Sequence, residues 1–219
     1  MQSREQFHLE MNELNQDIIQ LANRANKALR QSMDALFNKD IELAKKVVED
    51  DKLIDKEEAA INDKVILLIA KQQPVATDLR RLIIALRVVT DIERMGDNAK
   101  NIAKAATRLG DHYQTELPLE LNAMRDSALI MLESAISAFQ NEDISVAHKL
   151  AEMDDKVDKL YKQVVTDMLE KTAVNSAEVQ YVMQIAFSAR YIERFADHIT
   201  NIGESILFLV KGEIVDLND

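Results

Sequence analysis

IERMGDNAKNI, residues 92–102, returns one hundred residues later as IERFADHITNI, residues 192–202. Apolar residues recur every three or four positions around both copies, which is the spacing of one face of an α-helix. Glu93 nevertheless takes an apolar position of that face, and Asp97 follows one turn later, with the same two residue types in the second copy. The repeat predicts a duplicated helical chain whose core seams carry carboxylates.

A second repeated block precedes each copy. LFNKDIELAKKVVEDDKLID, residues 36–55, aligns with FQNEDISVAHKLAEMDDKVD, residues 139–158, at an offset of 103 positions, and a different loop length between two helices accounts for the change of offset. Asp40 and Asp143 have the residue type and position of helix N-caps, and Pro74 suits the first turn of a helix. Periodicity and these breakers predict helical segments at about residues 4–37, 41–71, 75–109, 118–140, 143–171 and 176–211.

The composition of the 219-residue chain favours helix nearly everywhere. Four glycines, two prolines and no tryptophan stand beside long runs of Ala, Leu, Ile, Glu, Lys, Asp and Met, which leaves few turn residues for a β protein. Because consecutive helices joined by short loops pack antiparallel, we predict an all-α fold of two tandem antiparallel three-helix bundles related by internal duplication. Their predicted bounds are residues 1–110 and 118–211, on either side of the linker LGDHYQTELP, residues 109–118.

The charge balance and the motif content exclude several functions. The formal net charge is −11, so nucleic acid is not expected as a partner, since phosphate binding needs a basic patch. With no cysteine, a disulfide, a thiolate metal site and a cysteine nucleophile are excluded. No glycine-rich phosphate loop or nucleophile motif occurs, and we expect no enzyme activity. The longest aliphatic run, VILLIA at residues 65–70, is too short to span a bilayer, so we expect a soluble, cytoplasmic protein.

Two helices of each half carry acids in an apolar stripe. The second segment places Asp51 in its stripe, and Asp55 follows one turn later. The fifth segment repeats this arrangement with Asp154 and Asp158. In an antiparallel bundle these pairs can face the Glu–Asp pairs of the third and sixth segments, so that four carboxylates meet in each half.

Such acids need compensation, because an uncompensated buried carboxylate costs several kcal/mol. One candidate is a set of arginines: Arg80, Arg87 and Arg94 follow the stripe of the third segment, and Arg190 and Arg194 lie in the sixth. The other candidate is a hard cation or a cluster of cations, because all-oxygen sites suit Mg²⁺, Mn²⁺, Ca²⁺ or iron. The second half has no counterparts of Arg80 and Arg87 yet keeps its acids, which favours a metal and leaves both readings open.

Two asparagines and one histidine adjoin the acids. Asn101 and Asn201 each follow an aspartate by one turn, where an amide can ligate or hydrogen-bond the cluster; an outward-facing asparagine fits the same spacing. His198 comes directly after Asp197, so it points about 100° away around the helix. We therefore expect His198 to lie outside the set of ligands.

With these motifs the sequence resembles the PhoU family of phosphate-transport regulators. The resemblance covers essentially the whole chain, from Arg4 and Phe7 through QQPVATDLR at residues 72–80 and ERMGDNAKNIA at 93–103 to RYIERFADHITNI at 190–202. It implies two three-helix bundles with carboxylate-rich surfaces that hold multinuclear metal clusters in some members. Carried over by position, it implies metal ligands at Asp51, Asp55, Glu93, Asp97 and Asn101 in the first half and at Asp154, Asp158, Glu193, Asp197 and Asn201 in the second.

The resemblance also implies a function. Family members restrain phosphate uptake and phosphate-starvation signalling, and they act on the ATPase of the phosphate ABC transporter and on a membrane sensor histidine kinase. The chain is then expected to be a homodimeric adaptor that reaches the membrane only through its partners and binds iron, manganese, magnesium or zinc. Two alternatives stay open. One is a metal-free helical adaptor; the other is a di-iron carboxylate enzyme, for which the chain offers a single Glu-x-x-His pair, Glu5 with His8, far in sequence from the seam acids.

Overall fold

The computed structural model describes residues 2–111, 113, 116–174, 178–212 and 217. Within these residues all regular secondary structure is helical, which confirms the predicted all-α fold. The six helices are α1 (Gln2–Asn38), α2 (Ile41–Gln72), α3 (Ala76–Leu109), α4 (Glu120–Asn141), α5 (Ser145–Val174) and α6 (Val179–Lys211).

A capping aspartate sets the start of α2, and a second aspartate accepts a hydrogen bond from the first residue of α5. Asp40 is the N-cap of α2, as predicted, and its carboxylate accepts a hydrogen bond from the backbone N–H of Leu43 at 2.9 Å. Asp143 accepts from the backbone N–H of Ser145 at 2.9 Å, and its hydrogen bonds with Ser145 lower the pKa of Asp143. Pro74 lies just before the first turn of α3 rather than within it. The predicted start of the sixth segment, residue 176, lies outside the described residues.

Two groups of three helices form the molecule. Helices α1, α2 and α3 pack against one another, and α4, α5 and α6 do the same. In addition α3 packs along α6, and α1 touches α4. Buried apolar side chains from both groups form one continuous cluster, so the tandem bundles share a core. No helix in the described ranges is both long and apolar enough to cross a bilayer.

Candidate metal centre

The acid stripes predicted for α2 and α5 face the interior. On α2, Ala44, Val47, Asp51 and Ile54 are all buried. Asp51 is 6% exposed, and Asp154, at the equivalent position of α5, is 8% exposed. Because α3 lies beside α2 and α6 beside α5, the acids of the two long central helices reach the same seams. The structure therefore places one acidic cluster in each repeat.

In the second repeat three carboxylates converge. One oxygen each from Asp154, Asp158 and Asp197 lies within 4.8 Å of the other two. Asp154 is buried, and the other two aspartates are half-buried. Oxygen ligands stand about 2.0–2.6 Å from a hard cation, so three oxygens at this spacing can share one ion. The donor set is all oxygen, which suits Mg²⁺, Mn²⁺ or Ca²⁺.

Two buried oxygens of this cluster have no hydrogen-bond partner among the residues that the structure describes. They are Oδ1 of Asp154 and Oε2 of Glu193, and Glu193 is only 7% exposed. Burial, together with repulsion from Asp197 and Asp158, raises the pKa of Asp154 to about 7. Burial and the charge of Asp197 likewise raise the pKa of Glu193 to about 7. An unpartnered buried acceptor costs free energy, and a cation among these oxygens would remove that cost.

Two basic side chains touch the edge of the second cluster. The guanidinium group of Arg190 contacts Glu193. Nζ of Lys162 lies 3.5 Å from Oδ2 of Asp158, and the Lys162 side chain is largely exposed. Among the ion pairs of the described residues, none joins a lysine or arginine to Asp154 or Asp197. The interior of the cluster therefore keeps an excess of negative charge.

The first repeat has the same acids but a different interior. Nζ of Lys100 lies 2.5 Å from Oδ2 of Asp51 on α2 and 2.5 Å from Oδ1 of Asp97 on α3. The Lys100 side chain is 19% exposed. Burial alone would lower the pKa of Lys100, but its hydrogen bonds to both carboxylates outweigh burial and raise that pKa. An ammonium group thus bridges the two helices.

The other two acids of the first repeat, Glu93 and Asp55, are more exposed than Asp51. Arg94, which is exposed, lies 3.1 Å from Oδ2 of Asp97 and 3.4 Å from Oε2 of Glu93. Burial, followed by the charge of Asp97, raises the pKa of Glu93, and the exposed Asp55 adds to that repulsion. Ion pairs therefore compensate much of the acid in the first repeat.

Two of the arginines considered as partners for the acids do not reach them. The guanidinium carbons of Arg80 and Arg87 lie 5.6 Å and 5.5 Å from the ring centroid of Phe208 on α6. Arg80 Nη1 also donates to the carbonyl of Leu209 at 3.3 Å. The interpretation that Arg80 and Arg87 neutralise the seam acids was therefore wrong, because their side of α3 faces the other repeat.

Asn201 and His198 lie at the interface between the repeats. The amide nitrogen of Asn201 donates to Oδ1 of Asp91 at 3.0 Å, and Nδ1 of His198 lies 3.0 Å from the same oxygen. Asp91 belongs to α3, so both side chains reach across from α6. Asn101 is half-buried on α3. For Asn201 the contact with Asp91 engages the amide away from the carboxylates of its own repeat, while the role of Asn101 as a ligand stays a prediction.

Sequence reasoning missed Lys100 and Asp91. Lys100 follows Asp97 by three positions, which puts both on one face of α3. The available signal was the alignment of the repeats, in which Thr200 takes the place of Lys100. Periodicity within one helix holds no signal for Asp91, because its partners belong to the other repeat.

The lone Glu-x-x-His pair lies far from the first cluster. Glu5 and His8 are exposed near the start of α1. One turn further on, Glu10 accepts a hydrogen bond from Gln72 at 3.3 Å, and Gln72 lies about 30 Å along α2 from Asp51 at 1.5 Å per residue. This arrangement does not form a di-iron site of the ferritin type.

Comparisons with known proteins bear on the whole chain. The family model described as PhoU domain matches residues 18–106 and 121–206. A protein of Clostridium acetobutylicum, named phosphate-specific transport system accessory protein PhoU homolog, is 34% identical over 218 residues, which cover 99% of this chain and 100% of that protein. The Escherichia coli K12 protein, named phosphate-specific transport system accessory protein PhoU, is 31% identical over 95% of this chain and 86% of its own length.

Two crystal structures share the fold. That of PhoU from Pseudomonas aeruginosa superposes with a TM-score of 0.90 at 28% identity, covering 94% of this chain and 100% of that chain. That of the phosphate transport system regulatory protein PhoU from Streptococcus pneumoniae superposes with a TM-score of 0.88 at 30% identity, covering 96% and 99%.

Proposed function

This chain belongs to the PhoU family, and from that premise we propose that it is a cytoplasmic negative regulator of phosphate uptake and phosphate-starvation signalling. In this role it is a homodimeric adaptor between the ATPase of a phosphate ABC transporter and a sensor histidine kinase. It has no catalytic activity of its own. It meets the membrane only through these partners.

One observation carries the proposal. The family match takes in both repeats, and the similarity to proteins named as accessory to phosphate-specific transport runs through nearly the full length.

The second repeat is the proposed metal-binding part of this regulator. Asp154, Asp158 and Asp197 would hold a hard cation, with Glu193 beside them. The ion would supply positive charge to a seam where two buried oxygens lack hydrogen-bond partners among the described residues. The protein's own part is to hold carboxylates from α5 and α6 close together, so that binding joins these helices more tightly.

A deletion strain tests the regulatory role. In phosphate-rich medium, loss of the gene should raise both phosphate uptake and phosphate-starvation gene expression, and the wild-type gene should restore both. Radiolabelled phosphate uptake and a starvation-promoter reporter measure the effect. Unchanged uptake and expression in the deletion strain would contradict the regulatory assignment.

Thermal unfolding tests the metal. A ligand that binds only the folded state stabilises it by about 2.7 kcal/mol when the free ligand stands at 100 times Kd. Protein unfolded in Mn²⁺ or Mg²⁺ should therefore melt at a higher temperature than protein in EDTA. A melting temperature that EDTA does not change, with no metal found by elemental analysis, would support a metal-free adaptor instead. The ion pairs of Lys100 in the first repeat also favour that alternative.

A further inference from the structure

The two acidic clusters differ at one aligned position. Their four carboxylates correspond: Asp51, Asp55, Glu93 and Asp97 in the first repeat align with Asp154, Asp158, Glu193 and Asp197 in the second. Three residues after the last aspartate, however, the first repeat has Lys100 and the second has Thr200. Thr200 is fully buried, and the Lys100 side chain is 19% exposed.

In the first repeat the lysine bridges two acids of the cluster, one on α2 and one on α3. Its Nζ lies 2.5 Å from an oxygen of Asp51 and 2.5 Å from an oxygen of Asp97. A hard cation shared by the same oxygens would stand about 2.0–2.6 Å from each. The ammonium group and a metal ion would then compete for the same two oxygens, and two positive charges a few ångströms apart repel strongly in a poorly solvated seam.

In the second repeat the equivalent residue adds no charge. Thr200 is fully buried, and its hydroxyl donates to the backbone carbonyl of Asp197 at 2.7 Å. Within the described part of the chain, Oδ1 of Asp154 and Oε2 of Glu193 are left without hydrogen-bond partners. Both side chains are more than nine-tenths buried. The second cluster thus fits a metal, and the first does not.

We propose that Lys100 serves as a permanently bound cation in the first repeat and excludes metal there, so that the second repeat alone takes up a hard divalent cation. This inference rests on the metal site of the proposed function and narrows it to one repeat. It departs from the expectation of metal ligands in both halves.

Exchanging the two residues tests the inference. The full-length chain is stripped with EDTA, equilibrated with Mn²⁺, and analysed for bound manganese by equilibrium dialysis and elemental analysis, with circular dichroism to confirm folding. In the parent protein, Asp154→Asn should abolish manganese binding, whereas Asp51→Asn should leave it unchanged. Lys100→Thr should bind more manganese than the parent, and adding Asp51→Asn should remove the extra ion.

Lys104→Thr is the matched control. Lys104 lies one turn further along α3, beside Lys45 and Val48, so its removal takes a positive charge from the same helix without opening the cluster. This variant should bind as much manganese as the parent. A folded Lys100→Thr variant that binds no more manganese than Lys104→Thr would overturn the proposal, as would a parent that loses manganese on Asp51→Asn.

The reciprocal variant keeps the test decisive where Lys100→Thr fails to fold. Thr200→Lys should bring an ammonium group into the second cluster and weaken manganese binding at least about tenfold, the lower end of what changes next to metal ligands cost. Manganese should therefore raise its melting temperature by less than it raises that of the parent. A Thr200→Lys protein that binds manganese as the parent does would contradict the inference. If the parent binds no manganese but Lys100→Thr does, the metal part of the proposed function and the assignment of a cation to the second repeat both fail, while the exclusion by Lys100 stands.

Discussion

Asp51 and Asp154 occupy the same place on equivalent helices, yet the charge beside them differs. Asp51 has Lys100 at 2.5 Å, while one oxygen of Asp154 has no hydrogen-bond partner in the described ranges. A buried carboxylate that lacks a partner favours its neutral form, which is why burial and neighbouring acids raise the pKa of Asp154 to about 7. Binding a proton and binding a metal ion are therefore alternative ways of neutralising the buried carboxylate of Asp154.

Asp154→Asn should stabilise the metal-free protein in a pH-dependent way. The carboxyl group binds its proton more tightly when folded, with a pKa of about 7 against 3.8, so its contribution to stability falls as pH rises from about 4 to 7. The asparagine variant has no carboxyl group at this position, so it does not lose stability in this way. Its advantage over the parent should grow through that window and level off above it, reaching at most about 4 kcal/mol, since one pKa unit is worth about 1.4 kcal/mol.

Urea unfolding in EDTA at several pH values measures this difference. Asp167→Asn, which changes an exposed acid further along α5, is the control and should show no such trend. In saturating Mn²⁺ the order should reverse, and Asp154→Asn should be the less stable protein. An advantage of the variant that stays constant from pH 4 to 8 would show that Asp154 does not titrate in this window.

At the scale of the helices, Gly96 sets how closely α3 approaches α2. A Cβ atom at Gly96 would lie 2.8 Å from Cδ1 and 3.2 Å from Cγ2 of Ile54, and 3.6 Å from Oδ1 of Asp51. The aligned residue of the second repeat is Ala196. The first repeat therefore packs its acid-bearing helices with Ile54 lying directly against the backbone of α3.

Gly96→Ala should destabilise the protein by about 1 kcal/mol. Overpacking of a core typically costs about 1–3 kcal/mol, and the better helix propensity of alanine recovers about 1 kcal/mol of that. Ile54→Val removes the Cδ1 atom and by itself should cost about 0.5–1.5 kcal/mol. In the Gly96→Ala background it should cost less, because it relieves the contact. A double-mutant cycle by urea unfolding measures the coupling, and strictly additive effects would contradict this account of the seam.

Helical periodicity alone accounts for much of this arrangement. The apolar stripe that contains Asp51 predicted the buried face of α2, and the residue type of Asp40 predicted its cap; both are confirmed. The course of a long basic side chain could not be predicted this way. Lys100 turns inward to two carboxylates while Arg87 crosses to Phe208, and the difference depends on which helix lies opposite, which a single-helix pattern does not contain.

At the scale of the whole molecule, α3 and α6 join the repeats. Asp91 on α3 meets His198 and Asn201 on α6, and the arginines of α3 lie over Phe208. The linker adds a further contact, because the ring of Tyr113 packs at a tilt against that of Tyr181, with the ring centroids 5.7 Å apart. Polar and apolar contacts thus cross the boundary between the two repeats along its length.

The two repeats should unfold together in a single transition. They share one hydrophobic cluster, so separating them exposes apolar surface on both sides. Far-UV circular dichroism reports the helices, and the near-UV signal reports the packing of the aromatic side chains, which include Tyr113 and Tyr181 at the junction; the two melting curves should coincide. Residues 1–110 produced alone should lack a cooperative transition. Two resolved transitions in the intact chain would show that the repeats are independent folding units.

The position of α3 and α6 also sets how fast backbone amide protons exchange with solvent. Within the described residues, α2 touches only α1 and α3, and α5 touches only α4 and α6, whereas the two central helices are covered by both repeats. Amides in the middle of α3 and α6 should then exchange only when the whole chain opens, while those of α2 and α5 exchange through smaller, local openings. A cation held between α5 and α6 would slow exchange in α5 and leave α2 as it was.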